Sequence, residues 1–139
     1  MTGHVFGGAC VVTLACDYRI MNSQRGFFQM PPVNLGLHHD GIGSLPRLKL
    51  VPRVARKVLL EAHRFTGKEA LADGIVDWIG PYDELRGKAI EMAEQWKGKA
   101  KMGVYGLLRN ELWGAAAEYY ARNSYVHRRN TAKEPKMKL

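Results

Sequence analysis

The chain has 139 residues, with 21 Lys and Arg against 13 Asp and Glu for a formal net charge of +8, and 46% apolar residues. That length fits one domain with its own core, the charged fraction of 24% is that of a globular chain, and no apolar run is long enough to span a bilayer. No basic stretch leading into an apolar one follows Met1, so no secretory leader is read.

Taken in order, a glycine turn at Gly7-Gly8 opens onto a helix expected from Gly8 to Ala15. Cys10 and Cys16 fall in this apolar region without metal-ligand spacing and read as buried free thiols. Tyr18 to Met21 and Arg25 to Met30 read as strands, the second stopped by Pro31-Pro32, because proline cannot donate to a ladder. Residues 33–43, with three glycines, read as a loop. A helix is expected over Ser44 to Lys49, broken by Pro52, and a longer one from Arg53 to Ala62, where Val54, Val58, Leu59 and Ala62 keep helical spacing. Lys68 to Ala72 is a short helix with Thr66 as cap and Gly74 as stop, followed by a strand over Ile75 to Ile79 that Gly80-Pro81 ends. From Asp83 the pattern is helical, with breaks at Gly98 and Gly103, and Lys133 to Leu139 reads as a frayed tail. The fold class is therefore α/β followed by α.

Four segments carry chemistry when taken together. They are Gly3-His4-Val5-Phe6-Gly7-Gly8 running into Cys16-Asp17-Tyr18-Arg19, then Met30-Pro31-Pro32-Val33-Asn34-Leu35-Gly36, then Gly41-Ile42-Gly43-Ser44-Leu45-Pro46-Arg47, and finally Phe65-Thr66-Gly67-Lys68-Glu69-Ala70 through Gly74-Ile75-Val76. In order and spacing they resemble the signature of the enoyl-CoA hydratase/isomerase (crotonase) superfamily over residues 3–79, and more loosely to about residue 120.

The resemblance implies the second half of a crotonase-like β-β-α spiral over residues 1–80, a C-terminal helical region over 81–132 and a tail over 133–139, with the first half of the core absent. It implies an acyl-CoA thioester as substrate, no cofactor beyond the coenzyme A that substrate carries, no metal and no membrane partner. A chain lacking the first half is expected to be poorly active and to need partner chains. Relatives assemble as trimers and trimer pairs through helices like those of residues 83–127, where Met92, Trp96, Tyr105, Leu108, Leu112 and Trp113 supply apolar positions.

Matched residue by residue, Gly8 falls on the glycine whose N–H holds the thioester oxygen as it becomes an anion. Gly7, Gly8, Pro31 and Leu35 fall against the substrate. Val11 and Pro32 stand where hydratases of the family carry their two glutamates, and neither can move a proton, which disfavours hydration. Asp40 occupies the loop position of an aspartate in relatives that shift double bonds. A single carboxylate suffices for that reaction, so Gly8 and Asp40 are the candidate catalytic residues, with an Asp-Gly turn or helix cap as the structural alternative. His38 and His39 adjoin it. Adjacent residues on an extended segment point apart, so at most one faces the site, and a His-His-Asp run lacks zinc-ligand spacing.

The Cys16–Met21 strand followed by Arg25-Gly26-Phe27 resembles the 3-enoyl to 2-enoyl-CoA isomerase branch. The expected activity is thus double-bond isomerisation by the full-length form, with a non-catalytic acyl-CoA or RNA binder, or an enoyl-CoA hydratase, as alternatives. Basic residues cluster at Arg47, Lys49, Arg53, Arg56 and Lys57, and again at Arg122, His127, Arg128, Arg129, Lys133, Lys136 and Lys138. They would favour the phosphates of coenzyme A. RNA is the weaker reading because no aromatic–basic interleaving appears. The ending Lys136-Met137-Lys138-Leu139 resembles the S-K-L peroxisomal address in its last two positions, pointing to the peroxisome, with cytoplasm or mitochondrion as alternatives.

Overall fold

The computed structural model describes residues 1–121 and the backbone of 129–130. The Lys133–Leu139 tail, its targeting-like ending and the second basic cluster lie outside the residues whose side chains are described.

Glycine-rich turns and short apolar runs give short strands joined by helices. In chain order these are β1 (Val5–Phe6), α1 (Gly8–Ala15), β2 (Ile20–Asn22), β3 (Phe28–Gln29), α2 (Pro32–Leu35), β4 (Leu37–His38), α3 (Ser44–Lys49), α4 (Pro52–Leu59), α5 (Gly67–Ala72), β5 (Trp78–Gly80), α6 (Tyr82–Trp96), a 3-10 turn (Lys97–Ala100), α7 (Val104–Ala121) and β6 (Arg129–Asn130). β1 pairs in parallel with β3, Val5 opposite Phe28. β2 pairs in parallel with β5, Ile20 opposite Trp78. β4 pairs antiparallel with β6, His38 opposite Arg129. Met1 continues the second sheet on the far side of β2, its nitrogen donating to Ile20 O at 2.7 Å and its carbonyl accepting from Asn22 N at 2.9 Å.

One core joins these pieces. Cys10 and Leu14, one turn apart on α1, meet Met21 of β2, Phe28 of β3, Val54 and Val58 of α4, Phe65 and Ile75, all fully buried. Phe65 adds a third rail to the first sheet by exchanging two backbone hydrogen bonds of 2.9 Å with Phe28, and their rings meet edge to face.

The helices of residues 8–15, 44–49 and 67–72 match their expected spans within a residue. Thr66 caps α5 in a reciprocal box: its hydroxyl accepts from Glu69 N while the Glu69 carboxylate accepts from Thr66 N at 2.8 Å. Four expectations need correction. Residues 33–43 are not a plain loop, because Pro32 sits where a helix needs no donor and Gly36 closes a single turn in the left-handed region at φ 61°. For the same reason Pro52 starts α4 rather than breaking a helix, and the chain leaves α4 at Leu60, with Ala62 at φ 46°. Ile75 and Val76 do not pair in a sheet, since both N–H groups fold back onto Ala70 O at the end of α5, so β5 begins only at Trp78. Cys16 is exposed, because it lies just past the last turn of α1, and only Cys10 is buried.

Candidate functional site

The turn before α1 is held by the first sheet. Gly7 N donates to Gln29 O at 3.0 Å, and the chain then reverses at φ 59° and ψ −123°, a conformation that glycine alone adopts readily. The buried Cys10 thiol ties the first turn down by donating to Gln29 O at 3.1 Å, and burial pushes its pKa up to about 12, so it acts as a neutral donor and not a nucleophile. Cys10 N donates to Gly7 O at 2.9 Å, whereas the N–H groups of Gly8 and Ala9, the first two of α1, have no intrahelical carbonyl to bond and sit at the positive end of the helix. Space beside them is open: a Cβ built on Gly7 or Gly8 meets nothing within 4 Å.

A cleft of about 390 Å³ opens at this turn, lined by Phe6, Gly7, Gly8 and Val11, by Pro31, Pro32 and Leu35 of the α2 turn, by Leu37, His39 and Ile42, and by Tyr120 of α7. The structure therefore brings together Gly7, Gly8, Pro31 and Leu35, with Val11 and Pro32 among them. Asp40 is not among the lining residues; its carboxylate lies 3.7 Å from His38 Nδ1, with both side chains about half exposed. Phe6, Leu37, Ile42 and Tyr120 complete the wall and were not singled out in the sequence. Tyr120 comes from α7, far along the chain from the motif region's loop, and no local pattern marks it. Gly41 lies against that helix, where a Cβ would be in ordinary contact with Tyr119 and the Tyr120 ring at 3.5–3.6 Å, and it is the backbone at φ 84° that favours glycine there.

The Cys16-Asp17-Tyr18-Arg19 motif proves structural. The Arg19 guanidinium is nearly buried and donates to Ile75 O at 2.6 Å and to Cys16 O at 3.0 Å, while Arg19 N donates to the Asp77 carboxylate at 2.7 Å. Asp17 receives Arg109 and the Tyr105 hydroxyl from α7. Most of the first basic cluster is also engaged inside the fold. Lys49 donates to Cys16 O at 2.8 Å over the Trp113 ring, and burial lowers its pKa. Arg53 and Lys57 share Asp73, Arg56 meets Glu61, and Arg47 lies over Tyr119. Among the described residues no group of three His, Cys, Asp or Glu side chains could hold a metal ion, and no helix is long and apolar enough to cross a membrane.

The family model for enoyl-CoA hydratase/isomerase matches residues 1–133. The chain is 30% identical over 132 residues to the carnitinyl-CoA dehydratase of Salmonella paratyphi A, which covers 94% of this chain and 49% of that protein. It thus spans about half the length of the curated relatives it matches. Its fold is similar to that of an enoyl-CoA hydratase/isomerase family protein from Pseudomonas syringae, with a TM-score of 0.76 at 23% identity over 86% of this chain and 52% of the other. It is also similar to a methylmalonyl-CoA decarboxylase solved in complex with 2-nitronate-propionyl-CoA, with a TM-score of 0.71 at 26% identity over 83% of this chain and 44% of the other. The match over nearly the whole sequence, with the glycine turn and α1 set against an apolar cleft, gives the conclusion: this chain belongs to the enoyl-CoA hydratase/isomerase family.

Proposed function

We propose that the protein carrying this chain binds an acyl-CoA thioester with its carbonyl oxygen at Gly8 N–H, and shifts the double bond of a 3-enoyl thioester to the 2-position. The observation that carries this reading is the composition of the cleft. An open helix N-terminus suited to a developing oxyanion meets walls that are almost wholly apolar, and with Val11 and Pro32 in place no carboxylate stands among the described lining residues. Adding water across a double bond needs an acid and a base within reach of the water and of the alpha carbon. Moving a double bond needs only one group that takes a proton and returns it. That group belongs to the 37–42 loop, where Asp40 is the residue matched by family position. The acyl-CoA analogue bound by the methylmalonyl-CoA decarboxylase neighbour supports the ligand class.

A second reading, removal or addition of water, is favoured by the dehydratase name of the Salmonella relatives. The two separate in one experiment. The protein that contains this chain is offered a 3-enoyl-CoA and crotonyl-CoA side by side. Isomerisation without hydration supports the first reading; rapid hydration of crotonyl-CoA without isomerisation replaces it. Tight binding with neither reaction marks a non-catalytic acyl-CoA binder.

The same reading includes self-association. Trp96, Leu108 and Leu112 on α6 and α7 are exposed, as is Val12 on the outer face of α1, and apolar surface of this kind is suited to a partner chain. Sedimentation is expected to show a species heavier than the monomer, and a monomer at all concentrations would refute it.

A further inference from the structure

The 37–42 loop carries three ionisable side chains in a row, and the backbone sorts them. β4 is extended and its pairing with β6 sets Leu37 opposite Asn130 and His38 opposite Arg129. Side chains along an extended segment alternate faces, so Leu37 and His38 point to opposite sides of β4, while His39 and Asp40 follow the strand into the turn. The contacts sort the four residues. Leu37 and His39 line the cleft, while His38 and Asp40 meet each other at 3.7 Å outside it. The position of His39 is held beyond the strand as well, because its carbonyl accepts from Ile42 N at 3.2 Å, closing the turn.

Among the described residues lining the cleft only His39 and Tyr120 can carry a proton. The Tyr120 hydroxyl is buried with no hydrogen-bond partner among the described residues, and burial raises its pKa, so the phenol stays neutral and is a poor base.

Building on the isomerase reading above, we propose that His39, and not Asp40, is the catalytic proton carrier of the cleft. The neutral imidazole takes a proton from C2 of a bound 3-enoyl thioester. The C–H electron pair becomes the C1–C2 double bond of a dienolate, whose charge rests on the thioester oxygen at Gly8 N–H. The imidazolium returns the proton to C4; the thioester carbonyl re-forms, the double bond moves from C3–C4 to C2–C3, and the imidazole is neutral again. No oxidant, metal or water enters the balance.

The experiment uses the protein that contains this chain and 3-hexenoyl-CoA in deuterated buffer, following deuterium at C2 and C4 by NMR and the dissociation constant by calorimetry. His39→Asn and His39→Gln are expected to lower exchange roughly 100-fold with the dissociation constant unchanged, since a positioned acid–base group contributes about that much. Asp40→Asn is expected to keep most of the exchange. In the unaltered chain the His39 Cε1–H resonance shifts when 3-hexenoyl-CoA is added, while that of His63, held by Glu69 away from the cleft, does not. Full exchange in His39→Asn, loss of exchange in Asp40→Asn alone, or bound 3-hexenoyl-CoA without exchange in the unaltered chain would each overturn the proposal. Failure of 3-hexenoyl-CoA to bind at all would instead remove the acyl-CoA reading beneath it.

Discussion

Arg109 on α7 closes on Asp17, 92 residues earlier, with Nε 2.8 Å from Oδ1 and 3.1 Å from Oδ2. Its Nη2 donates at 2.6 Å to Ala15 O, one of the carbonyls that the end of α1 leaves without an intrahelical partner. The Tyr105 hydroxyl, one turn before Arg109, donates to Asp17 Oδ2 at 2.9 Å, and that bond raises the tyrosine pKa. One carboxylate thus fastens the long C-terminal helix to the helix that opens the candidate site, and a cation meets the negative end of α1.

A double-mutant cycle measures this clasp. The pair is partly exposed, so solvent screens it, and Asp17→Asn with Arg109→Gln is expected to show a coupling of about 1 kcal/mol in urea unfolding. The coupling should shrink as salt is raised, because the charges are open to counterions. A coupling of zero at low salt would mean that the Asp17–Arg109 ion pair does not help to hold α7.

Gly8→Ala separates the site from the fold. The added methyl meets no atom within 4 Å, and alanine is the better helix former, so stability should change by less than about 1 kcal/mol. The methyl would stand beside the open N–H groups, and affinity for an acyl-CoA thioester should fall at least about tenfold. Unchanged affinity would move the thioester away from α1.

Thiol labelling distinguishes the two cysteines. Cys16 is exposed and should react with an alkylating reagent in the native protein. Cys10, buried and with its pKa pushed up to about 12, should react only after unfolding. One thiol labelled before denaturation and two after it is the expected count by mass spectrometry, given two cysteines in the chain.

The α5 cap predicts an acid-side loss of stability. Hydrogen bonds from Thr66 N–H and then from its hydroxyl hold the Glu69 carboxyl below its ordinary value of 4.5. A carboxyl depressed in the folded state contributes stability above its unfolded pKa and loses it as pH falls through the lower folded value. Stability should therefore decline as pH falls below that ordinary value of 4.5, and Glu69→Gln should flatten that decline. Thr66→Ala is expected to cost about 1 kcal/mol at neutral pH, read by thermal unfolding.

Local chemistry determined much of this protein by itself. The glycine turn before an apolar run dictates α1, Thr66 with Glu69 three residues on dictates the start of α5, and Gly74 dictates its end. Gly7, Gly8, Pro31 and Leu35, which line the cleft, could be named before any coordinates for a different reason, the resemblance of their segments to the family's motifs. What the tertiary structure decided depends on partners far away in the chain. Tyr120 reaches the cleft only because α7 packs back over Gly41, and Asp17 and Arg19 become fasteners only once α7 and the Ile75–Asp77 turn come against them. The same holds for the 37–42 loop: its sequence offers His38, His39 and Asp40 alike, and only the folded path of the loop sets His39 against the cleft and Asp40 beside His38. Spacing along a chain settles local hydrogen bonds, but the face a side chain presents is set by the strand or helix that its segment packs against.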